Sequence, residues 1–219
     1  MQRDDAQLSE YYAARAPEYE SIYAKPERQR DLAELVRCIG DLLSGRRVLE
    51  IACGTGYWTR HLATRARHVV ATDLNPETLT VARTKELGPA PVDFRIEDAY
   101  RLGDGLGTFD GAFVGFWWSH VPRERVSSFL ASLHGRLEQG AVVVVVDNRY
   151  VEGSSTPISR WDGRGNSYQI RTLRSGRKYE VLKNFPGDQE LRSSLSGMVG
   201  TFTCRMLDYY WLVHYDAAA

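Results

Sequence analysis

The chain predicts an α/β fold: one doubly wound, mostly parallel sheet with helices on both faces, and a β-hairpin added late in the chain. Three observations carry this expectation. Apolar runs of strand length alternate with segments of helical period through five units, the order that builds parallel strands joined by right-handed crossovers. The run Ala141-Val-Val-Val-Val-Val-Asp147 has no polar interruption, as a strand covered on both faces requires. Farther on, Tyr168–Leu173 and Lys178–Leu182 alternate around Arg174-Ser-Gly176, a hairpin pattern.

A chain of 219 residues, 43% of them hydrophobic, buries one sizeable core, so a single domain is expected. Lys plus Arg and Asp plus Glu number 28 each. The resulting zero net charge carries no electrostatic footprint for nucleic acid or an anionic membrane, and neither is an expected partner. Met1-Gln-Arg-Asp-Asp5 lacks the apolar stretch of a secretion signal, and no run approaches the roughly 20 apolar residues of a membrane span. Three scattered cysteines fit a reducing cytoplasm, the expected location, and no metal site is expected.

Residues from about Asp5 to Tyr23 read as a helical lead rich in tyrosine (Tyr11, Tyr12, Tyr19, Tyr23), with Arg15 among them. It is either a surface helix whose rings cover core edges or a lid over a site. Pro26 opens the next helix, in which Leu32, Leu35, Val36, Ile39 and Leu43 share a face and Gly45 ends the run. Val48, Leu49 and Ile51 form the first buried strand. Gly54 and Gly56 then permit a tight turn and a close backbone approach, and a helix from Tyr57 presents unpaired N–H groups. A dinucleotide fingerprint needs a third glycine where Thr59 stands, so an anionic pyrophosphate is not the expected guest. Glu50 adds a negative charge suited to a cationic ligand. Cys53 lies in the turn, but nothing places a His or Asn beside it to make a nucleophile.

Val69-Val-Ala-Thr-Asp73 is the second strand. Asp73, about twenty residues past the glycines, is positioned to accept both hydroxyls of a ribose. The alternative is an N-cap for the helix from Pro76, a role Asn75 also fits. Pro91–Asp98 is the third strand, with Asp98 at its end as a ligand carboxylate or an ordinary loop acid. Phe109–His120 holds the fourth strand and its tip, where an open α/β sheet gathers ligands. Phe116, Trp117 and His120 are expected at the pocket, and Trp118 either there or in the core. Pro122 opens a helix with Val126, Phe129, Leu130, Leu133 and Leu137 on one face, closed by Gly140.

After the valine strand, Asp147-Asn-Arg-Tyr150 should enter the same pocket, Arg149 against a substrate carboxylate and Tyr150 beside it. The loop from Val151 to Gly165 is long enough to shape a substrate site. Arg160, Arg164, Arg171, Arg174, Arg177 and Lys178 read mostly as a solvated basic face. A short helix near Asp188 to Met198 and one long strand from Thr201 to about Tyr215 complete the chain.

Glu50-Ile-Ala-Cys-Gly-Thr-Gly56 resembles motif I of the class I S-adenosylmethionine (SAM) methyltransferases, with Ala52 where the motif usually carries Gly. Asp73 resembles motif II, Asp98 motif III, and the leading Phe109-Asp110 of the fourth strand motif IV. Tyr11-Tyr-Ala-Ala-Arg-Ala-Pro-Glu-Tyr19 is similar to the N-terminal segment of many small-molecule members, which closes over cofactor and substrate. The motifs stand in the family's order over about residues 8 to 216. The resemblance implies SAM as cofactor and an antiparallel last strand. It further implies that Tyr11 and Arg15 hold the methionine carboxylate, with Glu50, Ala52, Gly54 and Gly56 around the methionine part. Asp73 and Leu74 would then meet the ribose, Asp98 and the backbone N–H of Ala99 the adenine, and Phe116 and Trp117 the donor's reactive end. Tyr12, Trp117, Trp118, His120, Arg149 and Tyr150 would face the acceptor.

The activity so implied is methyl transfer to an O, N, S or C atom of a small metabolite, with His120 as base, orienting group or mere helix cap. The alternatives are a non-catalytic SAM-binding or partner-binding module, and a nucleic-acid or protein methyltransferase. The Asn/Asp-Pro-Pro-Tyr/Phe tetrapeptide of amino-methylating nucleic-acid enzymes is missing, since Phe116-Trp-Trp-Ser119 stands there. One domain over residues 1–219 is expected to divide into a lid and first helix (1–45), a cofactor-binding core (46–148), a loop and hairpin over the substrate side (149–187) and a closing helix and strand (188–219).

Overall fold

The computed structural model describes residues 3–200 and 202–217, with side chains described from residue 7 onward. The described residues form ten strands: β1 (Arg47–Ile51), β2 (His68–Asp73), β3 (Val92–Ile96), β4 (Phe109–Gly115), β5 (Leu137–Asn148), β6 (Arg160–Trp161), β7 (Ser167–Thr172), β8 (Lys178–Leu182), β9 (Phe202–Met206) and β10 (Tyr210–Asp216). The main sheet has seven strands in the order β3-β2-β1-β4-β5-β10-β9, and β6-β7-β8 form a separate antiparallel sheet. The pairings β3-β2, β2-β1, β1-β4 and β4-β5 are parallel, and β10 runs antiparallel to both β5 and β9. The strand order reverses between β1 and β4, and there the strand ends open a crevice.

Helices α1 (Arg3–Arg15), α2 (Gln29–Leu42), α3 (Tyr57–Leu62), α4 (Pro76–Ala82), α5 (Val126–His134) and α6 (Asp188–Leu195) cover the strands. The valine run shows how the sheet is clothed. Val143 and Val145 pack with Phe129, Leu130, Leu191, Leu195 and Trp211 on one face. Val142, Val144 and Val146 pack with Leu32, Leu35, Ile39, Trp58 and Leu62 on the other. Alternation along one strand thus feeds two cores, which is why no polar residue interrupts it. Among the described residues, no helix is long and apolar enough to cross a membrane.

Two boundaries differ from expectation. Leu137 continues the helical spacing of α5 but belongs to β5, opposite Phe109. The chain leaves the helix at Gly135, and a register shift with Gly140 at φ +75° takes up the extra residues. The expected long last strand is two, β9 and β10, folded back at Leu207-Asp208-Tyr209. Thr201 lies outside the described residues. Local aromatic content favours strand throughout that region and gives no sign of the turn.

Candidate functional site

A cavity of about 580 Å³ opens at the C-terminal ends of β1, β2 and β4, within the range of pockets that hold small molecules. One end is built from backbone. After β1, Ala52 takes φ +52°, Gly54 φ +58° and Gly56 φ +80°, which reverses the chain into α3. At Gly56 a Cβ would lie 3.1 Å from the Cβ of Ala82, so a side chain there would push α4 away. The Gly54 N–H donates to Asp73 Oδ2 and the Asn75 N–H to Oδ1, each at 2.8 Å. These bonds lock the carboxylate at the tip of β2 against the glycine turn. Burial pushes the Asp73 carboxyl above its ordinary value, partly offset by those bonds. Asp73, Leu74, Ala52, Gly54 and the solvent-exposed Asp98 all line the cavity. Leu74 is 43% exposed, an apolar face left open beside two carboxylates.

Glu50 has a different place from the one expected. It does not line the cavity but lies beneath the turn, 1% exposed, accepting a 2.7 Å hydrogen bond from Thr59 Oγ1. Burial, with repulsion from Asp73, lifts its carboxyl to about 8, so at neutral pH it is mostly protonated. Its role in the turn is to hold Thr59, the residue that replaces the third glycine. Ala99 is buried behind Asp98 and, like Gly56, does not line the cavity. Cys53 is buried, its thiol pushed well up by desolvation, and is inert as a nucleophile.

The other end is roofed by the N-terminal lead. Leu8, Ser9 and Tyr12 of α1, and Tyr19 from the 3-10 turns after it, line the cavity with Phe116, Trp117 and His120. The lead is tied down at both ends of the turn: Ser9 Oγ bonds Asn75 Oδ1, Thr55 Oγ1 donates to Glu20 at 3.0 Å, and Lys85 pairs with Glu20. Phe116 takes φ +60°, a strained conformation that sets its ring between Trp58, Tyr23 and Tyr210. The buried indole nitrogen of Trp117 has no hydrogen-bond partner.

His120 is held from both sides. Its Nδ1 lies 2.7 Å from the carbonyl of Leu182, which only accepts, so Nδ1 carries the proton. Nε2 therefore accepts the hydroxyl of Tyr12 at 2.7 Å. Burial, then the nearby Lys183, Arg171 and Arg15, hold the imidazole well below its ordinary value, and it is neutral at pH 7. Behind it, Lys183 Nζ donates to Ser119 Oγ at 2.5 Å and lies 3.3 Å from Asp147 Oδ1, while Ser119 donates its N–H and hydroxyl to the same carboxylate. Asn184 donates to the Val121 carbonyl and to Asn166. The small sheet is thereby stapled to the tips of β4 and β5.

Several expected site residues lie elsewhere. Trp118 turns away from the cavity into the core, edge-on to Phe129 and Trp211. Arg149 donates to the carbonyls of Leu207 and Asp208, and Tyr150 packs on Phe185, so neither enters the cavity. The reason is the strand pairing: β10 stays with β5 as far as Asn148, and the chain beyond it runs along the β9–β10 turn. Asp147 goes to Lys183 instead. Tyr11 and Arg15 do not line the cavity either; they stand one layer behind Tyr12 and Tyr19, Arg15 Nη1 donating to Tyr11 Oη at 2.5 Å. Lys183, Ser119 and Asn184 carry no signal in the sequence, because their significance comes only from long-range packing.

The methyltransferase-domain family matches residues 48–140 of this chain. A solved structure described as the DhpI–SAM–HEP complex superposes with a TM-score of 0.80 at 27% identity, covering 98% of both chains. The chain is a SAM-dependent methyltransferase with the class I fold. Malonyl-[acyl-carrier protein] O-methyltransferase of Serratia marcescens is 28% identical over 188 residues, 79% of this chain and 71% of that protein. Ubiquinone biosynthesis O-methyltransferase of Xylella fastidiosa (strain 9a5c) is 46% identical over 82 residues, 36% of this chain but only 33% of its own length. The cofactor of this methyltransferase is therefore SAM, and the described residues fit it. The locked Asp73 carboxylate, the glycine turn and the exposed Leu74 offer a diol acceptor, a close backbone approach and an apolar face within one cavity.

Proposed function

We propose that this methyltransferase acts on a small-molecule acceptor that enters the cavity between Trp117, Tyr12, Tyr19 and His120. In this reading Asp73 accepts the ribose hydroxyls, Leu74 and Asp98 bracket the adenine, and the turn at Ala52–Gly54 receives the methionine portion. When bound, SAM supplies an electrophilic methyl on a cationic sulfur. The chain's task is then to hold the acceptor atom in line with that methyl, and orientation of this kind contributes roughly 7–11 kcal/mol. The observation that carries the reading is that the Asp73 and Asp98 carboxylates share one cavity with the Tyr12–His120 pair.

His120 is the base for an acceptor that must lose a proton. It is neutral, its tautomer is fixed by Leu182, and its lone pair points to a cavity-lining hydroxyl. Two routes are open to the proton. An acceptor that displaces Tyr12 meets Nε2 directly, whereas one that bonds Tyr12 Oη passes its proton through the phenol to the imidazole. His120→Ala should lower turnover about 10²–10⁴-fold with SAM affinity unchanged. Tyr12→Phe separates the routes, since a comparable loss supports the relay and near-normal turnover supports direct contact. The measurement is methyl transfer from labelled SAM to a metabolite panel, beside calorimetry with S-adenosylhomocysteine (SAH). SAH binding without any acceptor methylation would leave a binding module instead of an enzyme.

A further inference from the structure

Asn75 stands at the N-cap of α4, a role its residue type suits, yet its side chain makes no capping bond. Its backbone is extended there (φ −94°, ψ 114°), as at a cap. The amide reaches instead across 66 residues of sequence to the lead, where Ser9 Oγ donates to its Oδ1. A residue placed to cap a helix has thus turned its side chain to the cavity beside Asp73, which Ser9 and Asn75 both line.

That bond uses one end of the amide. Asn75 is 7% exposed, and among the described residues no hydrogen-bond partner meets its Nδ2. Nor does Nδ2 belong with the enclosed, unpartnered atoms such as the Trp117 nitrogen, so it borders the open space of the cavity. Water can meet those N–H groups there, but a ligand that displaces the water must bring acceptors of its own. The other groups about Asp73 are engaged. The N–H groups of Gly54 and Asn75 are committed to its carboxylate, and the Thr78 hydroxyl to the Asn75 carbonyl, each at 2.8 Å. Leu74 has no polar side-chain group. A ribose diol needs both kinds of partner, because each hydroxyl gives one proton and can receive another. Asp73 only accepts, so the diol oxygens still lack a hydrogen-bond donor, and Nδ2 is free to be one.

We propose that the Asn75 amide binds SAM, Nδ2 donating to a ribose hydroxyl oxygen while Asp73 accepts the diol's protons. Ser9 is then a positioning residue: by holding Oδ1 it turns Nδ2 to the cavity, and it ties the lead to cofactor recognition through one side chain. The inference rests on the SAM placement proposed above and adds a contact to it.

Calorimetry on the full chain with SAH, 2′-deoxy-SAH and 3′-deoxy-SAH tests it. Asn75→Ser supplies a short N-cap that cannot reach the ribose, so the ligand-free Tm should not fall. SAH should nonetheless bind about three- to tenfold more weakly. With the deoxy form that lacks the bonded oxygen, the variant and the unaltered chain should bind within about twofold of each other. Ser9→Ala should weaken SAH by about two- to fourfold, and the double variant should bind it no worse than Asn75→Ser, since Ser9 acts through the amide. Unchanged SAH affinity in Asn75→Ser, or a loss that persists with both deoxy forms, overturns the proposal. The deoxy forms decide it even if Asn75→Ser loses stability, because a loosened fold weakens all three ligands alike. Unchanged affinity in Ser9→Ala, or losses that multiply in the double variant, overturns the role of Ser9. Failure of the unaltered chain to bind SAH would instead bring down the SAM placement itself, a result distinct from SAH binding that is indifferent to Asn75.

Discussion

The two ends of the cavity are made of different materials. At the proposed donor end the cavity-lining groups are backbone and short acids carried by consecutive elements: the turn after β1, Asp73 at the end of β2, Asp98 after β3. Each is fixed by bonds within a few residues or across one strand, such as Gly54 N–H to Asp73. At the other end the groups are long side chains from distant segments: Tyr12 from α1, His120 from the turn after β4, and behind it Asp147 from β5 and Lys183 just past β8. There the bonds span 108 residues from Tyr12 to His120 and 64 from Lys183 to Ser119. The donor end is thus rigid by local geometry, whereas the acceptor end exists only once the hairpin has docked.

The sharpest way to break that contrast is to undo the docking. Lys183 and Asp147 form a buried pair, and removing one partner of such a pair costs about 3–5 kcal/mol because the other charge is left uncompensated. Lys183→Met should lower unfolding stability by that amount in urea titrations and remove acceptor turnover. SAH affinity per folded molecule should remain near normal. Equal loss at both ends would show that the two are one cooperative unit.

Glu50 tests the donor end from beneath. Its carboxyl is raised in the folded state to about 8, against an ordinary value near 4.5. The folded chain thus binds more protons than the unfolded one, so this group favours folding below pH 4.5 and loses that contribution as pH climbs to about 8. Glu50→Gln keeps an acceptor for Thr59 but no titration. It should raise stability by about 3 kcal/mol at pH 7 and by almost nothing near pH 4. Thermal unfolding of both chains across that range checks it, and a gap that does not widen with pH would refute the buried, protonated state.

Asp73→Ala should weaken SAH by roughly 1.5–3 kcal/mol, about ten- to hundredfold, because a ribose hydroxyl would lose its acceptor. Acceptor binding to whatever complex remains should be little altered. An unchanged SAH affinity would remove Asp73 from the ligand and leave it as a staple for Gly54 and Asn75.

The same contrast decides how much of the site is legible before folding. The glycine turn, Asp73 and Asp98 are legible because each sits a fixed distance from a strand end, and strands announce themselves by period. The role of Glu50 is not: its charge is visible in a sequence, but the layer of chain that covers it is hidden there. Trp118 and Trp117 are adjacent aromatics with opposite fates, separated only by the direction of a 3-10 turn. Arg171 disappears into a run of basic residues of which Arg160, Arg164, Arg174 and Arg177 are surface ion pairs. The alternation Gln169-Ile170-Arg171 carries a signal, but its phase can be set only by knowing that Tyr179 and Val181 face α1.

The smallest effect lies at Ala52. Its φ of +52° is a conformation that disfavours any side chain, by about 1–2 kcal/mol relative to glycine. Ala52→Gly relieves that strain but frees the unfolded chain, a loss of about 0.4–1 kcal/mol. A net stabilisation of about 1 kcal/mol or less should result, read as a small rise in Tm, with SAH binding no weaker. A marked loss of stability would mean that the Ala52 methyl, which packs against the core behind the turn, contributes more than the strain takes away. The donor end would then depend on side-chain packing as well as backbone, and the division between the two ends would be less clean than the turn geometry implies.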